Sequence, residues 1–295
     1  MNLIPLVEVG DLLSPCNRAG AETRPDGSPL HESECVPLSA WRPQWATPWA
    51  ASILRRWDAA VRAEGGAALR VRRIGRPWED QAAVRRAFDA WIAAGSPAPG
   101  SRGWVSSMST AYAARPGESF HGFGAAVDLD RDVFEFPGLG RRTNASLERL
   151  WEIGADLGAA PIIAQARISQ SEAWHFDLLG PVFEAIRAAL RGQGQRDAGK
   201  WTAISGHVLT GKWRGDLGDW RYVQARLLLH FATETGATYP GVPDGLVGPK
   251  TRAALAVAVG DLPPRFAFSE LVARLDEKKI AARFLGDAAL AAPTL

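Results

Sequence analysis

The sequence predicts an α+β domain followed by a small all-α domain. Residues 46–192 mix short strand-like runs with amphipathic helix patterns. A polar, glycine-bearing stretch, "RGQGQRDAGK" (191–200), then interrupts them, and few core contacts could cross it. Beyond it, helical periodicity and turns take over. The expected boundaries are an irregular N-terminal arm at 1–45, the mixed domain at 46–192, a linker at 193–216, a helical module at 217–262 and a helical tail at 263–295.

The first helix is expected from Thr47 as N-cap and Pro48 at the first helical position. Trp49, Ile53, Trp57 and Val61 then recur every four residues, and Gly65-Gly66 ends the run. "ALRVRRIG" (68–75) alternates like a strand. Pro77 opens a second helix with Val84, Phe88, Trp91 and Ile92 on one face and Gly95 as its stop. "AAVDLD" (125–130) reads as a strand that places Ala126, Asp128 and Asp130 on one face. Asn144 is expected to cap a third helix carrying Leu147, Leu150, Trp151 and Leu157. "PIIAQARI" (161–168) and "SEAWHFDL" (171–178) read as strands, and a helix follows from Pro181 to about Leu190. In the C-terminal module a helix at 219–235, capped by Asp219, carries Trp220, Val223, Leu227 and Phe231. A turn-rich "YPGVPDGLVG" precedes a helix at 249–259 that opens with Pro249.

Length and composition exclude several classes. With 295 residues, 46% apolar and 22% charged, the chain can bury a sizeable core. A net charge of only +2 gives no basic stripe, so nucleic acid is not an expected partner. No window approaches the roughly 20 apolar residues of a membrane span, so no membrane insertion is expected. The N-terminus "MNLIPLVEVGDLL" lacks a positive n-region, and Glu8 and Asp11 interrupt its apolar run, so it is a poor signal peptide. A soluble monomer made in the cytoplasm is expected. Cys16 and Cys35 form neither a C-x-x-C pair nor a zinc-finger pattern; a disulfide and two free thiols both remain open.

Two of the five histidines sit in short motifs that also hold carboxylates. His121 precedes Asp128 by seven residues in "SFHGFGAAVDLD", and His175 follows Glu172 by three in "EAWHF". Two imidazoles and one carboxylate make a three-ligand set for Zn²⁺ with a fourth position left for water. The remaining carboxylate, Glu172, could then take a proton from that water, whose pKa zinc lowers toward roughly 7. The ordinary alternatives are a hydrogen-bonded structural histidine at 121 and an aspartate that ends a strand. Asp130, on the same strand face, is a rival ligand. Asp177 is a candidate to orient the His175 ring. There is no H-E-x-x-H helix, no G-x-S-x-G elbow and no P-loop.

These motifs carry a resemblance. "SFHGFGAAVD" follows S-x-H-x-x-G-x-A-x-D, and "EAWH" follows E-x-W-H. With "ARPGES" (114–119) and "IGRPWEDQ" (74–81), in this order, they resemble the zinc D-Ala-D-Ala carboxypeptidase family, comprising VanY-type peptidases and related phage L-alanyl-D-glutamate endopeptidases. The likeness spans roughly residues 68–178. It implies a small antiparallel sheet flanked by helices, with His121, Asp128 and His175 as zinc ligands and Glu172 as general base and acid. It further implies that Arg76 helps bind substrate and stabilise charge at the scissile carbonyl, and that Ser119 hydrogen-bonds near the site. Phe120 and Gly122 depart from the residues the family often carries there, which puts substrate preference in doubt more than metal binding.

Residues 217–260 resemble a small three-helix peptidoglycan-binding domain. Asp244, Gly245, Gly248 and Thr251 meet its D-G-x-x-G-x-x-T pattern. These residues form a tight turn and a helix start, so their expected role is structural. Together the two resemblances imply a zinc peptidase acting on peptidoglycan, held on the insoluble polymer by a second weak contact, in the manner of an endolysin. The alternatives are a bacterial D,D-carboxypeptidase and a non-catalytic zinc-containing wall-binding protein of a phage-like particle.

Overall fold

A computed structural model of the chain describes residues 3–13, 44–98, 113–130, 134–170, 172–213, 218–235, 241–260, 262 and 266–281. Cys16 and Cys35, and with them the question of a disulfide, lie outside the described residues, as does the tail beyond 281. In chain order the elements are β1 (Val7–Glu8), β2 (Trp45–Ala46), α1 (Pro48–Ala63), β3 (Val71–Arg73) and α2 (Trp78–Ala93). A 3-10 turn (Phe120–Phe123), β4 (Ala126–Leu129), β5 (Glu135–Phe136), β6 (Gly140–Arg141), α3 (Asn144–Leu157), β7 (Ala159–Pro161) and β8 (His175–Leu178) follow. The series ends with α4 (Gly180–Gly192), α5 (Ala198–Leu209), α6 (Gly218–Thr233), α7 (Pro249–Val259) and α8 (Phe268–Glu277). The fold is α+β, with small antiparallel sheets. Among the described residues, no helix is long and apolar enough to cross a membrane.

The chain divides into two compact units. One is built from residues 5–75 and 124–181. Its centre is a four-stranded sheet in the order β3-β4-β8-β7, antiparallel throughout. The four-residue repeat of α1 does what its period predicts: Trp49, Ile53, Trp57 and Val61 are all buried. Trp57 is the centre of this core. Its Nε1 donates to the Leu150 carbonyl at 3.2 Å, and its ring meets Phe176 edge-on at 4.9 Å. Gly154 of α3 has no Cβ because one would lie 2.7 Å from that indole. Trp49 Nε1 donates to the Leu178 carbonyl at 3.1 Å, which ties α1 to β8.

Three expectations in this unit need correction. The cap of α3 is Thr143, whose Oγ1 accepts from Ser146 N at 3.1 Å; Asn144 Oδ1 accepts instead from Ile168 N at 2.9 Å. Of "PIIAQARI", only Pro161 lies in a strand, because β7 is a sheet edge that a proline readily ends, and Ile162 is left 48% exposed. The N-terminal arm is not irregular throughout: β1 pairs with β2, Val71 N donates to the Leu12 carbonyl, and Val9, Leu12 and Leu13 are buried.

The other unit holds residues 76–123 and 182–290 with the first four residues. Helix α2 starts one residue after Pro77, and its expected apolar face is only half-buried, with Ile92 exposed. Within 193–216, expected as a linker, Ala198–Leu209 form α5, whose residues 202–209 are all buried. It packs on α6, whose residues 222–229 form an unbroken buried run. Helix α6 begins at Gly218 and α7 at Pro249. Gln224 of α6 organises the Asp-Gly turn: its Oε1 accepts from Gly245 N at 2.7 Å, and its Nε2 reaches Asp244 Oδ1, the Leu246 carbonyl and Thr251 Oγ1 at 3.0, 3.0 and 3.1 Å. Gly245 has φ +86, a conformation that favours glycine. Arg226, fully buried, closes the end of α8 by donating to the Leu275 and Ile280 carbonyls and pairing with Asp276. Trp220 packs edge-on against Phe266 and Phe268.

Replacing Trp57 by Ala is expected to cost about 3–5 kcal/mol, from lost burial, a lost hydrogen bond and the cavity left behind. Chemical denaturation monitored by circular dichroism reads this, and an unchanged midpoint would contradict the central place of Trp57.

Candidate metal centre

The sheet register builds the site. Antiparallel pairing of β4 with β8 sets Asp128 directly opposite His175. The two side chains meet, with His175 Nδ1 at 2.9 Å from Asp128 Oδ1. Asp177, two residues along β8 and therefore on the same face, lies 3.3 Å from His175 Nε2. The Nδ1 edge of the ring thus faces Asp128 and Glu172, and the Nε2 edge faces Asp177. An ion shared with Asp128 would take Nδ1, while Asp177 would hold the opposite nitrogen and fix the ring, as carboxylates do for ligating imidazoles.

His121 enters from the 3-10 turn and is 2% exposed. Its backbone carbonyl accepts from Arg76 N at 2.9 Å, and Gly122 N closes the turn on the Ser119 carbonyl at 3.0 Å. Ligand atoms of His121, Asp128 and His175 all lie within 4.8 Å of one another. A tetrahedral ion with bonds of about 2.0–2.2 Å spaces its ligands by roughly 3.3–3.6 Å, so small side-chain adjustments suffice. Among the described residues these three form a group that could hold a metal ion. Asp130, the rival ligand, is outside that group and pairs with Arg72 at 3.4 Å.

The electrostatics fit a cation. Burial, the strongest single influence on His175, lowers its pKa, but the hydrogen bonds and charges of Asp128 and Asp177 outweigh it and push the pKa up to about 10. Without a metal, a proton on His175 supplies the positive charge that two closely placed carboxylates require. A divalent ion with imidazole and carboxylate donors would supply the same charge, and this donor set suits zinc.

The structure places the remaining predicted residues as follows. Glu172 lies in the turn leading into β8, where His175 N donates to its carbonyl at 3.0 Å. Its Oε2 is 4.0 Å from His175 Nδ1, and its side chain is one-third exposed. Its φ of +66 is unusual for a residue with a side chain and costs on the order of 1 kcal/mol or more, a strain that clusters at functional sites. Arg76 Nη1 donates to Gln81 Oε1 at 2.9 Å, and Gln81, itself 2% exposed, donates to the Ala114 carbonyl at 2.6 Å. Gln81 was legible as the last residue of "IGRPWEDQ", but a role for it needed this contact. For Ser119 it is the carbonyl that is engaged, by Gly122 N and by His207 Nε2 at 3.1 Å.

No protein-family profile and no curated protein matches the chain. Among solved structures the chain is similar to the crystal structure of a mutant of the vancomycin-resistance D,D-pentapeptidase VanY, from a VanB-type resistance cassette, in complex with Zn(II). Identity is 19%, the match covers 61% of this chain and 89% of that one, and the TM-score is 0.33.

The raised pKa of His175 sets two expectations for pH. In metal-free protein, the stability that protonated His175 contributes is fully present below about pH 6.5 and is lost as pH rises through about 10. Melting of chelator-treated protein across that range should show the decline. Zinc must displace the same proton, so apparent Zn²⁺ affinity should climb between about pH 7 and pH 10, with proton release on binding. Affinity that stays flat over this range would contradict the arrangement.

Proposed function

We propose that the chain is a zinc-dependent peptidase of peptidoglycan, cutting a peptide bond in cell-wall stem peptides or their cross-links. The convergence of His121, Asp128 and His175, with the strained Glu172 beside them, carries this reading. His121, Asp128 and His175 would hold the zinc, which would supply Lewis acidity at the scissile carbonyl and at the attacking water. Glu172 takes the proton from the attacking water and returns it to the amine that leaves when the C–N bond breaks. Its partial exposure keeps the carboxylate reachable by substrate. Arg76, whose guanidinium is steadied by Gln81, offers a fixed fork to the oxygen on which negative charge develops. Ser119 contributes at the rim of the site.

The substrate assignment draws on the C-terminal module, which we take to bind peptidoglycan. Its turn, ordered by Gln224 and Thr251, gives the D-G-x-x-G-x-x-T residues a structural role. A wall-binding module beside a peptidase raises the effective concentration of enzyme on an insoluble polymer, and this pairing supports an endolysin-like role.

Replacing Glu172 by Gln is expected to lower the release of muropeptides from purified sacculi by about 10²–10⁴-fold, with one Zn²⁺ still bound per chain. Mass spectrometry of the released fragments reads the loss and names the bond. Undiminished release by this variant would show that Glu172 is not the proton carrier, and no release by the parent protein would favour a non-catalytic wall-binding protein. Exhaustive chelation should abolish cleavage, and added Zn²⁺ should restore it; activity that survives chelation would remove the metal from the reaction.

A further inference from the structure

The turn that carries His121 is gripped by a helix from the stretch expected to be a linker. Two reciprocal contacts make the grip. The His207 ring of α5 lies over Gly122, where a Cβ would stand 2.1 Å from His207 Cε1 and 2.2 Å from its Nε2. The Phe123 ring lies over Gly206, where a Cβ would stand 2.4 Å from the Phe123 ring edge. Each element lacks a side chain where the other inserts a ring. Neither glycine has a left-handed φ, so space, and not backbone conformation, is what these positions require. His207 also meets Phe123 and Trp78 edge-on, at 5.6 and 6.2 Å.

The polar contact is equally specific. His207 is 2% exposed, and its Nε2 donates to the Ser119 carbonyl, the same carbonyl that closes the 3-10 turn through Gly122 N. Its Nδ1 has no hydrogen-bond partner among the described residues. A carbonyl only accepts, so Nε2 carries the proton in this contact, and burial, which outweighs the backbone hydrogen bonds of Ser119 and Lys212, pulls the pKa down to about 4, so the ring stays neutral at ordinary pH.

We propose that His207 is a positioning residue for the metal centre: by donating to the Ser119 carbonyl and packing on Gly122, it fixes the turn that presents His121. This rests on the metal-centre reading above. Helix α5 then belongs to the working peptidase and is not a tether. Outer partners of this kind are worth roughly 10–100-fold in metal affinity when they orient a ligand.

The test uses the full chain, Zn²⁺ alone and competition with a fluorescent chelator, with thermal melting recorded for every variant. Replacing His207 by Leu removes the donor and should weaken Zn²⁺ binding by at least about tenfold. His207→Gln, whose longer amide can still reach the Ser119 carbonyl, should recover most of that loss. Leu209→Ala, on the opposite face of α5 and also fully buried, should lower the melting temperature while leaving Zn²⁺ affinity unchanged. The visible spectrum of bound Co²⁺ should change in His207→Leu and revert in His207→Gln. If His207→Leu does not melt cooperatively, His207→Asn, too short to reach the carbonyl, takes its place in the comparison. Wild-type affinity in the donor-less variant, an equal loss in Leu209→Ala, or no recovery with Gln would overturn the proposal alone. Absence of Zn²⁺ binding by the parent chain would instead overturn the metal centre, and this role with it.

Discussion

One imidazole held between two carboxylates governs the architecture of the candidate centre. Asp128 and Asp177 both lie within hydrogen-bonding reach of the His175 ring, in a setting that exposes little of any of the three. Such a triad is unfavourable without positive charge, and a proton or a divalent ion can provide it. The antiparallel register is what enforces the encounter. A slip of one residue would bring Phe176 to the site face and turn His175 into the core. Phe176 opposes that slip, because it is fully buried against Trp57 on the other face. The aromatic core and the polar site are therefore two sides of one strand pairing.

A second constraint is close approach of backbone, which explains why the "SFHGFGAAVD" stretch is rich in glycine. Gly122 makes room for a ring, as described above. Gly124 does a different job: its φ is +75, and a Cβ there would lie 2.7 Å from the Trp45 carbonyl. That position needs both the conformation and the space that glycine provides. The carbonyl of Gly124 then accepts from Thr47 N at 2.9 Å, which joins the start of β4 to the start of α1.

Where local chemistry alone decides the outcome, the sequence was readable. The tryptophan-bearing period of α1 and the glycine-proline start of α7 announce themselves within a few residues, and two short motifs carry His121, Asp128 and His175, the group that could hold a metal ion. Where tertiary contacts decide, it was not. Adjacent Thr143 and Asn144 both suit a cap, and only the pull of Ile168 N on Asn144 separates their roles. The polar, glycine-bearing run at 191–200 made this region look like a tether, yet Ala198–Leu209 form a helix, and Gly206 within it admits Phe123. Nothing near His207 in the chain hints that it reaches Ser119, 88 residues away. The strain at Glu172 is likewise invisible in sequence, because it is set by how the turn must deliver His175 to the sheet.

The central claim is that a single ion takes two imidazoles and one carboxylate from this chain. X-ray absorption at the zinc edge of the metal-loaded protein addresses it directly. A shell of nitrogen and oxygen donors at about 2.0–2.2 Å, with the outer scattering of two imidazole rings, is the result expected. Sulfur at about 2.3 Å, or scattering from fewer than two imidazoles, would contradict it.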